Sequence, residues 1–132
     1  RRIDSAEGKQ QFLRWWYEQA IFSGLSENQI LELVRRRNCF DAEQAAKMLE
    51  TLSVAEQPNY RNRLASLQDV NVLFVGGDRD QKYAAIAQSM ARLSSSISCD
   101  IIENCGHAIP FEQPIRLAER IGRFLGIPLK GN

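Results

Sequence analysis

Residues Val70, Val72, Leu73, Phe74 and Val75 form a nearly continuous apolar run that stops at Gly76-Gly77. A strand with one wet face alternates apolar and polar side chains, so an unbroken run bounded by glycines predicts a strand buried on both faces, as in a parallel sheet. Parallel neighbours need a crossover, and the chain supplies one. A helix is expected from about Gln81 to Leu93, then a second strand from Ile97 to Glu103, which completes a βαβ unit. After Pro114 a last helix, Ile115 to Leu125, should bury Leu117, Ile121 and Leu125 before Gly126-Ile127-Pro128. Two strands alone would leave both sheet edges unpaired, so further strands are expected outside residues 1–132. The opening Arg1-Arg2-Ile3-Asp4, without Met, fits a segment of something longer.

Residues 1–68 read differently. Phe12, Trp15, Trp16 and Ala20 recur at helical spacing over residues 5–22, with Ser5 as cap and Ser23-Gly24 as the stop. Ser26 with Gln29 forms a capping box for a second helix through Ile30, Leu33 and Val34, ending at Arg35-Arg36-Arg37, where cations suit the helix dipole. Asp41, with Gln44 three positions on, opens a third helix expected to bury Ala45, Met48, Leu49 and Leu52. Pro58 should start a fourth through Leu64 and Leu67. The expected organisation is a helical segment, 1–68, followed by a β-α-β-α segment, 69–132.

Composition excludes several functions. With 44% apolar and 25% charged residues the chain is expected to be globular. Its 17 basic and 16 acidic residues give a net charge of +1, which offers no general attraction to nucleic acid or anionic membrane. No stretch approaches the ~20 apolar residues of a membrane span, and no secretory signal opens the chain. Cys39, Cys99 and Cys105 lack a disulfide-framework spacing and fit a reduced compartment. One histidine and no close cysteine pairs leave no expected metal site.

Chemistry in open parallel sheets gathers outside the carboxyl ends of the strands. The first strand runs into Asp78-Arg79-Asp80 and the second into Asn104-Cys105-Gly106-His107, so Asp80 and His107 should share one rim. A carboxylate on one imidazole nitrogen fixes the tautomer and stabilises the imidazolium formed when the other nitrogen takes a proton. Asp80 is the expected partner, being further into the loop, with Asp78 bracing the turn. The order acid, then histidine, is that of α/β-hydrolases, in which the serine comes first. No Gly-x-Ser-x-Gly occurs in residues 1–132, so the nucleophile and part of the oxyanion hole are expected elsewhere. On the plainer reading, Asp78 and Asp80 are solvated turn residues and Gly106-His107 is a polar loop.

One family shares a longer set of residues. Trp16-Tyr17-Glu18-Gln19 with Phe22 and Leu25, Leu33-Val34, Arg37, Ala46-Lys47-Met48-Leu49-Glu50, Leu52-Ser53 and Gln57-Pro58 precede Gly77-Asp78-Arg79-Asp80-Gln81-Lys82 and Cys105-Gly106-His107. This set resembles the 2-succinyl-6-hydroxy-2,4-cyclohexadiene-1-carboxylate synthases of menaquinone and phylloquinone biosynthesis, over about residues 12 to 125. The resemblance implies the C-terminal part of an α/β-hydrolase fold, with residues 1–68 as a helical cap. It also implies a Ser-His-Asp carbon-oxygen lyase that needs no cofactor, removes a substrate proton and eliminates pyruvate. By position, Asp80 would orient His107, and Trp16 and Arg37 would contact a small carboxylate substrate, a chemistry that suits the bidentate guanidinium. The implied partner is the N-terminal half of the fold, and the implied setting is cytoplasmic, or stromal in a photosynthetic eukaryote. After Gly106-His107 the chain departs from the family, with Ala108-Ile109-Pro110-Phe111-Glu112 where a polar residue and a second histidine are more usual.

Trp15, Trp16 and Tyr17 equally suit interhelix packing, and Arg35 to Arg37 a solvated helix end. Two other functions stay open: an esterase or carbon-carbon hydrolase, which would share Asp80 and His107 without needing Arg37, and a noncatalytic binding domain of the same fold.

Overall fold

A hydrogen bond from the Gly8 amide to the Ser5 hydroxyl, 3.0 Å, starts the first helix, α1 (Ala6–Tyr17), at the cap its sequence marks. The computed structural model describes residues 3, 5–53, 55–67 and 69–127. Arg1, Arg2, Asp4 and Pro128, named above, lie outside the described residues. By their contacts the residues divide into two units, 1–59 and 60–132.

In the first unit, α1 is followed by a 3₁₀ turn (Ala20–Phe22), α2 (Glu27–Arg37) and α3 (Ala42–Thr51). The α-helix therefore stops five residues short of the expected Phe22. The chain turns after Tyr17, and the Phe22 ring comes back edge-on to the buried Tyr17 ring, 5.1 Å between centroids. That tertiary contact outweighs the continuing helical pattern. The capping box of α2 is complete, with the Ser26 amide donating to Gln29 Oε1 at 2.8 Å. Asp41 caps α3 through the Gln44 amide, 2.9 Å.

The buried stripe of α1 is Leu13 and Tyr17, one helical turn apart, and α1 packs on α2, whose Leu33 and Val34 are also buried. Trp15 and Trp16, expected on that face, are 55% and 40% exposed. On α3 the expected buried face is open: Met48, Leu49 and Leu52 are exposed and Ala45 is half-buried.

The second unit opens with α4, only Arg61–Leu64, shorter than the helix predicted from Pro58 through Leu67. Strand β1 (Val72–Gly77) pairs in parallel with β2 (Ile97–Ile102), from Val72 opposite Ile97 to Gly77 opposite Ile102, and α5 (Gln81–Ala91) packs on both. Ala84 and Ala87 are the buried residues of α5, and a Cβ on Gly76 would meet the Ala84 backbone at 3.3 Å, so small residues set this close helix-strand approach. Val72 to Val75 are half-buried rather than buried on both faces, because β1 has one neighbouring strand among the described residues. A short helix, α6 (Ile109–Glu112), not foreseen in the sequence, precedes α7 (Pro114–Phe124). On α7 the buried residue is Gly122, while Leu117 is half-buried and Ile121 and Leu125, expected to be buried, are exposed. No helix among the described residues is long and apolar enough to cross a membrane.

Candidate active site

The register that ends with Gly77 opposite Ile102 sends two loops out of the same sheet edge. The first loop turns tightly: the Asp80 amide donates to the Gly77 carbonyl at 3.1 Å, and Asp80 then caps α5 by accepting from the Tyr83 amide at 3.3 Å. The other carboxylate oxygen, Oδ2, lies 2.6 Å from His107 Nδ1. A carboxylate can only accept, so Nδ1 is the donor and the tautomer is fixed by Asp80. The Asp80 side chain is 11% exposed and that of His107 33%, which leaves the imidazole reachable while its acid is shielded. The Tyr83 ring packs at 4.8 Å from the imidazole and limits its rotation.

The neighbouring acid has another task. Asp78 Oδ1 accepts from the Cys105 amide at 3.0 Å, and the Arg79 amide donates to the Cys105 carbonyl at 2.9 Å, so the two loops are sewn together beside the pair. The Cys105 N–H, with further amides and the Arg79 charge, holds the Asp78 carboxyl below the usual carboxylate range. Gly77 is required where the loops meet, since a Cβ there would overlap the carbonyl oxygens of Cys105 and Gly106. Cys105 is fully buried, and burial, with the Glu112 and Asp78 charges, pushes its thiol up to about 11. It sits two residues from His107 as packing and not as a thiolate.

Glu112 escaped the sequence reading. Its carboxylate accepts from the Gly106 amide at 2.6 Å and the Ala108 amide at 3.1 Å, on either side of His107. The only signal in the sequence is Pro110, which suits a first helical turn and so brings the acid back over the loop.

Trp16 and Arg37 lie in the first unit, where both line a cleft of about 430 Å³ with Phe12, Leu13, Tyr17 and Phe40. The Arg37 guanidinium stands 5.9 Å over the Tyr17 ring, a cation-π contact that also accounts for its position. Burial raises the Tyr17 hydroxyl, and the Arg37 charge opposes that shift.

Parallel strands joined by a helix, with an acid after the first and a histidine after the second, define the C-terminal part of an α/β-hydrolase fold. No family model matches the sequence. Over 110 residues the chain is 33% identical to the 2-succinyl-6-hydroxy-2,4-cyclohexadiene-1-carboxylate synthase of Salmonella arizonae, spanning 83% of this chain and 41% of that protein. The synthase of Citrobacter koseri matches with the same identity and the same coverage. Among solved structures, MenH from S. aureus superposes with a TM-score of 0.82 at 26% identity, covering 91% of this chain and 46% of that one. The chain thus spans less than half the length of the relatives it matches. Over that span the chain is a homologue of these synthases.

Proposed function

We propose that residues 1–132 contribute the acid and the base of a Ser-His-Asp lyase that eliminates pyruvate to form 2-succinyl-6-hydroxy-2,4-cyclohexadiene-1-carboxylate, and that the serine lies outside these residues. The observation that carries the reading is the 2.6 Å contact between Asp80 and His107 at the ends of adjacent parallel strands. With Nδ1 committed to Asp80, Nε2 is the nitrogen that accepts a proton from the serine hydroxyl; Asp80 then stabilises the imidazolium. The serine so activated removes the substrate proton and is left as its hydroxyl. The electron pair left behind forms the new double bond as the carbon-oxygen bond to the enolpyruvyl group breaks, and the enolpyruvate released takes up the proton held by the imidazolium and tautomerises to pyruvate. Trp16 and Arg37 are assigned to the substrate, Arg37 pairing with a carboxylate; their common position on one cleft supports this. The setting proposed is the cytoplasm, or the stroma of a plastid.

A serine-directed fluorophosphonate tests this in the complete protein. The serine oxygen should displace fluoride from phosphorus, label a site outside residues 1–132, and do so only when His107 is present. Absence of labelling, or labelling indifferent to His107→Ala, would overturn the assignment.

A further inference from the structure

The loop that carries His107 is held by carboxylates at three of its backbone amides. Asp78 takes the Cys105 N–H from one side, and Glu112 takes both the Gly106 and the Ala108 N–H from the other. Glu112 therefore brackets the histidine: the residues before and after His107, Gly106 and Ala108, point their amide hydrogens at one carboxylate. The fit is close, since a Cβ on Gly106 would sit 2.9 Å from Glu112 Oε1. Charge-assisted bonds of this kind are short and strong, and two on one rigid carboxylate fix the orientation of a peptide as well as its position. The Gln113 amide donates to the Ile109 carbonyl at 2.9 Å and the Glu112 amide to the Ala108 carbonyl at 3.0 Å, so the turn presenting Glu112 is itself braced.

We infer that Glu112 is a positioning residue for the reaction: by clasping the amides on both sides of His107 it sets the imidazole at hydrogen-bond distance from Asp80. The inference rests on the proposed role of His107. Its physical content is that Asp80 can orient a ring only when the backbone delivers the ring to it. An error of about 1 Å in a reacting group can lower the rate ~100-fold. Glu112→Gln keeps the size of the side chain and one acceptor oxygen, but its NH₂ end faces an N–H donor and cannot accept.

The test uses the complete protein with Glu112→Gln. Turnover should fall about tenfold or more with the Michaelis constant changed less than about twofold, since the substrate contacts are untouched. The low-field proton resonance of His107 Nδ1–H should move or broaden. Should the Gln variant fail to fold, Glu112→Asp keeps the charge but is one methylene too short to span both amides, and it should show the same two effects. Unchanged turnover and an unchanged resonance in a folded variant would overturn the inference, as would a loss of turnover that only follows the loss of folded protein. His107→Ala, assayed alongside, separates the two levels. If it retains activity, the base assignment fails; if it is inactive while Glu112→Gln is normal, only the clasp fails.

Discussion

Asp80 and His107 stand 27 residues apart in the chain and 2.6 Å apart in space, and the distance follows from the pairing of Gly77 with Ile102. Three residues beyond Gly77 and five beyond Ile102, the two loops meet, crossbonded by Asp78 and Arg79 to Cys105.

Asp80 serves both helix α5 and the imidazole, and the two roles can be separated. Asparagine is as good a helix cap as aspartate but lets the ring adopt the wrong tautomer and gives the imidazolium no countercharge. Asp80→Asn should therefore lower turnover of the complete protein on the order of 10³- to 10⁴-fold while the melting temperature barely moves. A parallel fall in melting temperature would show that the cap dominates.

Gly77→Ala should be destabilising, by about 1–3 kcal/mol or more, because its Cβ would overlap the Cys105 and Gly106 carbonyls and the Cys105 carbonyl cannot move without breaking its bond from the Arg79 amide. Urea unfolding should show a lowered midpoint with the slope unchanged.

Acid stability should depend on Asp78. Its carboxyl is held below the usual range in the folded chain, so its contribution is complete above the unfolded value of about 3.9 and fades as pH falls through the lower folded value. Asp78→Asn should lose stability at neutral pH and unfold with a shallower acid dependence. Equal acid dependence in both proteins would contradict the assigned hydrogen bonds.

In the complete protein Arg37→Ala should raise the Michaelis constant and lower turnover on the carboxylate-rich substrate, yet leave a small neutral ester almost unaffected. Steady-state kinetics on both substrates checks this, and equal losses would indicate misfolding through the lost contact with Tyr17.

Much of this was legible in the sequence where a local rule decides the outcome. The Ser26–Gln29 box, the Asp41 and Ser5 caps, the run into Gly77 and the acid-then-histidine order all depend on residues near one another in the chain. What stayed hidden depends on tertiary partners. Helical spacing allows α1 to bury either Phe12 with Trp16 or Leu13 with Tyr17, and only packing on α2 selects the second pair. The exposed Met48, Leu49 and Leu52 kept their periodicity while the surface they were expected to meet is absent among the described residues. Glu112 was invisible for another reason: its partners are backbone amides, which any residue type supplies.

The most direct measurement is pyruvate release by the complete protein containing residues 1–132, given the substrate of the homologous synthases, with and without His107→Ala. Pyruvate formation that disappears with His107→Ala, while the variant remains folded, is the predicted result. Pyruvate formed at an undiminished rate by the folded His107→Ala protein, or none formed by the wild type, would contradict the account.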